Sequence, residues 1–375
     1  MRDRPRDPLA AAGNLSAKAW RRGVAAPKRA VKLLRRVDRW RDEASAFHKE
    51  WQIEREIAAV AGGRQPIIVG PWLSELGFEV LYWIPFLRWF EDRYRVDRQR
   101  VVAVSRGGVA DWYRDVADRY VEIFDHVDPD TFSRRNAERQ EDIESGGQKQ
   151  TAPGSLDRDV LAAARRATGL EGATVCHPSL MYRLFNQFWL GNRALHLIVS
   201  HTRHVPLTAT PASELGLPTE YVAAKFYTGA ALPDTSEYRH ALRELVRALA
   251  RQLPVVTLDT GMATDEHADY LFHDIPNVIS LRDKLTPSTN LGIQTSAIAG
   301  AQRFVGTCGS LAWMAPMLGI DTLAVYAEDR FLGSHIMFAN QAYARMGAAG
   351  FETLDLRAAI QVGRLVPEAV GAQAQ

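Results

Sequence analysis

Two cysteines, Cys176 and Cys308, are all that 375 residues contain. They form no disulfide framework and have no metal-binding spacing, so a reducing cytosol is the expected compartment. Long apolar runs are missing as well. No stretch of about 18 apolar residues occurs, which leaves no candidate for a spanning helix. The basic N-terminus has no apolar core behind it, so no signal peptide is expected. No G-x-x-x-x-G-K-[ST] is present, which excludes an ATPase loop, and no G-x-G-x-x-G follows a strand-like segment. No repeat of solenoid period is visible. What is present suits a soluble globular protein: 46% hydrophobic and 24% charged residues, with length enough for two cores.

The overall charge of +2 conceals an asymmetry. Residues 1–40 carry 12 Lys/Arg against three Asp, a net of +9, which leaves −7 for the remainder. Trp20, Val24, Val31, Leu33, Leu34, Val37 and Trp40 lie among those cations. Cations mixed with aromatic and aliphatic groups suit an anionic membrane surface. Nucleic acid or a merely solvated helix is the alternative for such a charge, and no nucleic-acid partner is expected.

Residues 2–27 read as loose, and Lys28 to Val60 as a long helix stopped by Gly62-Gly63. Strand-like and helix-like segments then alternate. PIIVG, VVAVS (101–105), VEIFD (121–125) and ATVCH (173–177) read as strands. Helices are expected from the end of the 70–75 loop to about Tyr94, from 109 to 120, and over HPSLMYRLFNQFWLG. The polar stretch 131–158 reads as an exposed insertion. A boundary falls in 203–220, marked by Pro206, Pro211 and Pro218. A second series follows: YVAAKFY, a helix over Glu237–Gln252, PVVTLD, NVISL, a helix near 288–300, RFVGT, a helix near 310–318 and TLAVY. Strand-helix alternation predicts parallel sheets covered on both faces. Two series predict an α/β chain of two Rossmann-like domains, 63–205 and 206–375, facing across a cleft, behind a basic arm and helix at 1–62. Ligands in such sheets bind beyond the carboxyl ends of the strands.

Two stretches draw attention at those ends. In AQRFVGTCGSLAWMAPMLGIDTLAVY, 301–326, a strand runs into the small turn Thr307-Cys308-Gly309-Ser310 and then a helix. Small residues and a helix N-terminus can cradle an anion such as a diphosphate, although Ser310 or Thr307 could equally be an N-cap. In GPWLSELGFEVLYWIPFLRWF, 70–90, Glu75 and Glu79 stand where a loop becomes an apolar-aromatic helix. Either acid could be a helix cap or a proton acceptor. Pro85 lies inside that helix and should kink it.

The segment LGIQTSAIAGAQRFVGTCGSLAWMAPMLGIDTLAVY resembles the donor-binding segment of GT-B glycosyltransferases, with the ADP-heptose–lipopolysaccharide heptosyltransferases and fucosyltransferase-like enzymes nearest. Those carry a "D-S-G" or "T-x-G-S" turn; here it is TCGS, without the acid. The opening stretch resembles the other half of the family, in which "LGD" precedes a helix with a proline six residues after the acid. In LGFE–VLYWI–P, Glu79 stands six residues before Pro85, with one extra residue, Phe78, after the glycine.

The resemblance implies a glycosyltransferase, inverting and metal-independent, with the retaining outcome left open. It would move a sugar from a nucleotide-sugar donor to a glycan or lipid-linked acceptor, with no cofactor. The family's general base maps onto Glu79, with Glu75 as the fallback. Apolar walls from Trp72, Phe78, Tyr82 and Trp83 would raise its pKa. Donor contacts are expected from Lys225, Thr307, Gly309, Ser310, Asp259 and Glu328, the last from the family's ribose position. Arg106 and His177, at strand ends, are cleft or acceptor candidates with Trp72. Asp265, Glu266 and His267 are adjacent and lack a ligand spacing, so no metal is expected. A sugar-nucleotide epimerase of the same fold, or an inactive sugar-nucleotide-binding scaffold at the membrane, are the alternatives.

Overall fold

The computed structural model describes residues 45–141, 150–209, 212–262, 267–330 and 332–365. The expected basic arm, 1–40, lies outside them. The described part of the N-terminal helix covers 45–62 and ends at the glycine pair. It buries Ala46, Ile53 and Ile57.

Four parallel strands form the first sheet: β1 Ile67–Val69, β2 Val101–Ser105, β3 Arg119–Glu122 and β4 Thr174–Cys176, in the order β3-β2-β1-β4. Six form the second: β5 Val222–Lys225, β6 Val255–Thr257, β7 Val278–Ser280, β8 Arg303–Thr307, β9 Thr322–Tyr326 and β10 Phe351–Asp355, in the order β10-β9-β8-β5-β6-β7. All of its pairs are parallel too. The buried, largely β-branched strands β1, β2 and β6 are what sheets covered on both faces require, while β7 and β10, at the edges of the second sheet, are partly exposed. Strand order reverses beside β1 in one sheet and between β5 and β8 in the other, and crevices open at such points. The two-domain α/β architecture is thus present, with the chain crossing between sheets through 201–221.

The halves are joined by contacts as well as by sequence. The Gly292 N–H donates to the Gly107 carbonyl at 2.9 Å, and the Trp112 indole to Thr295 Oγ1 at 3.0 Å. Gly107 has φ +84°, and a Cβ there would lie 2.7 Å from Leu291 Cγ. One apolar core runs through both halves, from Val69 and Trp83 to Phe304 and Met314.

Three expectations need correction. Residues 109–120 form no helix but a short 3₁₀ turn, Ala110–Tyr113, and β3 begins at Arg119, two residues before the expected strand. The buried Val109, Trp112, Tyr113 and Val116 do have helical spacing, but Trp112 and Tyr113 are fixed by Thr295 and Glu79 instead. The described part of 131–158 is not an exposed insertion. It supplies the helix Pro129–Glu141 and the start of Ser155–Thr168, and it buries Phe132, Gln150 and Asp157. Polar residues are buried there because they hydrogen-bond a loop, described below. Beyond 332, the helix Gly333–Met346, β10 and the helix Leu356–Leu365 were not anticipated.

Pro85 stands just after a break in the regular helix. The helix runs from Leu76–Phe78 through a π-helical turn, Glu79–Trp83, into Ile84–Tyr94, where Pro85 sits in the first turn. The prolyl nitrogen leaves the Leu81 carbonyl without its usual partner. His204 Nε2–H donates to that carbonyl at 3.0 Å. Burial holds the His204 pKa down to about 4, so the ring is a neutral donor.

Candidate functional site

A cleft of about 1090 Å³ opens between the carboxyl ends of the two sheets. The first half contributes Leu73 to Phe78, Tyr82, Arg106, Asn136 and Trp189. The second contributes Tyr227, Thr307 to Ser310, Trp313, Glu328 to Arg330 and Ser334-His335.

The loop before Glu75 is held carbonyl by carbonyl. Pro71 O accepts from Gln150 Nε2 at 2.9 Å, Trp72 O from Arg106 Nη1 at 3.0 Å, Leu73 O from Arg139 Nη2 at 3.5 Å and Ser74 O from Arg106 Nη2 at 2.9 Å. The Leu73 N–H donates to Gln150 Oε1 at 2.9 Å. Gln150 is itself anchored by Asp157 at 2.7 Å, and Asp157 is hydrogen-bonded to His177. Ser179 N–H donates to His177 Nδ1, so Nε2 carries the proton given to Asp157. His177 therefore caps the helix Ser179–Trp189 and supports this network; it does not line the cleft.

Glu75 closes that loop and faces the cleft. Glu79 does not. Its carboxylate is fully buried, and Oε1 accepts from Ser105 Oγ and from the Tyr113 hydroxyl, each at 2.5 Å. Burial raises its pKa to about 7, against the opposing pull of Arg106, Ser105 and Tyr113. The expected apolar tuning is present, but the position at the cleft mouth is not. Ser105 and Tyr113 hold the carboxylate away from the cleft, at the start of a π-helical turn, Glu79–Trp83. Phe78 lines the cleft and Glu79 lies behind it. Trp72, stacked between Trp83 and Tyr182, is likewise buried behind the wall.

The opposite wall is the strand-turn-helix of β8. Thr307 Oγ1 accepts from the Tyr227 N–H at 2.9 Å and donates to the Tyr227 carbonyl at 3.1 Å, tying β8 to the chain after β5. Gly309 has φ +147° and forms the N-cap position of Ser310–Met314 without any side-chain cap. Neither Ser310 nor Thr307 caps the helix. Ser310 Oγ accepts instead from the Tyr227 hydroxyl at 3.2 Å. Across the gap, a Cβ on Gly77 would lie 3.0 Å from Ser310 N, so the walls nearly touch there.

Thr307, Gly309, Ser310 and Glu328 therefore share the cleft with Glu75 and Arg106. Lys225 and Asp259 do not line it. Lys225 Nζ lies 2.7 Å from Asp269 and donates to the Leu258 carbonyl, which neutralises and turns it away. Asp259 is buried and accepts from Thr257, Ser280 and His273 at 2.8–3.0 Å, bracing the loops after β6 and β7. Asp265 and Glu266 lie outside the described residues. Among the described residues no group of three or more His, Cys, Asp or Glu is arranged to hold a metal ion.

An aromatic corner that local sequence does not reveal lies in the cleft. Phe78, Tyr82, Trp189 and His335 meet with ring centres 5.2–6.4 Å apart, and Tyr82 OH shares a 2.5 Å hydrogen bond with His335 Nδ1. Three of these residues are conspicuous aromatics, but His335 belongs to the helix Gly333–Met346, which was not foreseen. Tyr227, two residues after Lys225, reads in the sequence as part of a strand.

No family model and no curated protein matches this chain. Solved structures do. A glycosyl transferase family 9 structure from Veillonella parvula is 14% identical with a TM-score of 0.44, over 82% of this chain and 92% of that one. An E. coli heptosyltransferase with ADP is 15% identical with a TM-score of 0.39, over 80% and 99%. A UDP-N-acetylglucosamine 2-epimerase structure described as putative, from Listeria monocytogenes, is 11% identical with a TM-score of 0.32, over 80% and 95%.

Proposed function

We propose that this chain is a glycosyltransferase, inverting and metal-independent. It takes a nucleotide sugar on the second half and a glycan or lipid-linked sugar on the first, at the cytoplasmic face of a membrane. One observation carries the reading: a large cleft with two chemically different walls, each at the carboxyl ends of a parallel sheet. One wall is a small-residue turn entering a helix, suited to a diphosphate. The other joins an acid, Glu75, to an aromatic corner that can lie against a sugar.

In this reading Glu75 takes the proton from the acceptor hydroxyl. The hydroxyl oxygen forms its bond to the anomeric carbon as the bond to the diphosphate breaks, and the diphosphate leaves with the electron pair. Arg106 brings positive charge to the same space; its carbonyl partners at 72 and 74 orient it without cancelling that charge. Glu79, behind Phe78, is out of reach of an acceptor in this geometry.

Thermal-shift screening across nucleoside-diphosphate sugars identifies the donor, and turnover separates an enzyme from a mere binder. Single-turnover kinetics on two variants then assign the base. Glu75→Gln is expected to lose about 10²-fold or more with donor affinity nearly unchanged, as for removal of a general base. Glu79→Gln is expected to keep most of its turnover. The reverse result returns the role to Glu79, and full activity in both removes it from either.

A further inference from the structure

The N-terminal helix leaves one face uncovered. Phe47 is 55% exposed and Trp51 51%, one helical turn apart and so side by side. Leu190, 67% exposed, ends the helix Ser179–Trp189. The turn after it brings Arg193 over Phe47, 3.9 Å from the ring centre, while Arg55 lies 4.8 Å from the Trp51 ring. Carboxylates nearby are answered. Glu50 is paired with Arg193 at 3.0 Å and Glu56 with Arg183 at 2.5 Å, and His201 lies 2.9 Å from Glu54. The face thus presents apolar groups flanked by arginines whose charge is largely balanced by Glu50 and Glu56, and the surplus positive charge lies in residues 1–40.

We propose that Phe47, Trp51 and Leu190 form a docking face for an anionic lipid surface. The occupant is argued from charge. The helix carrying this face follows residues 1–40, whose net charge is +9. Such a segment draws the chain to anionic headgroups over about a Debye length, near 10 Å at 0.1 M salt. The exposed aromatic and aliphatic groups then enter the interface. Leu190 directly follows Trp189, which lines the cleft beside Phe78 and Tyr82. A molecule docked through Leu190 holds that aromatic wall near the lipid surface. An acceptor anchored in lipid then reaches the wall without leaving the membrane. This last step rests on the glycosyl-transfer reading; the docking itself does not.

The test uses the full chain and co-sedimentation with vesicles of phosphatidylcholine alone or mixed with phosphatidylglycerol, at low and raised salt. Three proteins are compared: wild type, the triple variant Phe47→Ser/Trp51→Ser/Leu190→Ser, and a deletion of residues 1–40. All three substituted side chains are more than half exposed, and thermal melting checks that the fold survives. Wild type is expected to bind only the anionic vesicles and to keep part of that binding as salt rises. The triple variant is expected to bind about tenfold more weakly, with no salt-resistant part, because insertion scales with buried apolar area. The deletion is expected to lose the long-range attraction. Equal binding of triple variant and wild type at both salts overturns the proposal. So does a wild-type dimer in sedimentation velocity that the triple variant lacks, which would assign the face to a second copy. Binding to duplex DNA in place of vesicles would also overturn it. Turnover on a soluble acceptor is expected to be unchanged in the triple variant. Lost docking with intact turnover, or the converse, therefore separates this proposal from the catalytic one.

Discussion

A buried acid with a pKa near neutrality makes stability depend on pH in a definite direction. Glu79 is protonated more readily in the folded chain than in the unfolded one, about 7 against 4.5. Below the unfolded pKa both states are protonated and its contribution is fully present. As pH rises through the window from 4.5 to 7 the unfolded state releases its proton first, and that contribution is lost. The full effect is on the order of 3 kcal/mol, from a shift of about 2.5 units. Glu79→Gln cannot ionise. Denaturant midpoints at pH 5 and pH 8 should therefore fall more for wild type than for the variant. Parallel pH profiles would show that the site does not retain its proton. The sequence already held the ingredients of this shift, an acid followed by Val-Leu-Tyr-Trp. It did not hold the direction in which the acid points, because the partners that fix it, Ser105 and Tyr113, lie 26 and 34 residues away.

At the scale of elements, the turn between β8 and its helix is the most exacting piece of backbone in the cleft. Gly309 adopts φ +147°, closed to most side chains, and a Cβ there would meet the Tyr227 hydroxyl at 2.6 Å. Gly309→Val should therefore displace the Tyr227 hydroxyl and shift the turn. Loss of nucleoside-diphosphate binding by calorimetric titration is expected, while far-UV circular dichroism stays native. Unchanged affinity would place the diphosphate elsewhere. This turn was legible because strand, small residues and helix follow one another within a dozen positions. Lys225 and Asp259 were misread for the opposite reason. Both stand at strand ends, where ligand contacts belong, but their partners Asp269, Ser280 and His273 are 14 to 44 residues away in sequence, and local pattern is blind to them. The same blindness made 131–158 look like surface: the polarity of Gln150 and Asp157 serves the loop at 71–74 from more than seventy residues away.

At the scale of the molecule, alternating strands made two parallel sheets legible, and the proline-rich 203–220 marked the passage between them. The closeness of the halves was not legible. One apolar core includes residues of both, and Gly107–Gly292 and Trp112–Thr295 bond them together. Each half therefore relies on the other to cover its surface. Differential scanning calorimetry of the full chain should show one cooperative transition, with calorimetric and van't Hoff enthalpies in agreement. Two separated endotherms would mean that the halves are energetically independent.

The loop at 71–74 has a further consequence. Four successive carbonyls are gripped by side chains from three other segments, so the backbone that carries Glu75 is ordered before any ligand arrives. Association normally costs freedom on both sides, and a wall already fixed has little left to lose. A ligand meeting that wall forfeits its own motion and little of the protein's. Selectivity on this side of the cleft then becomes a matter of shape: a molecule that does not fit gains nothing from waiting for the wall to yield.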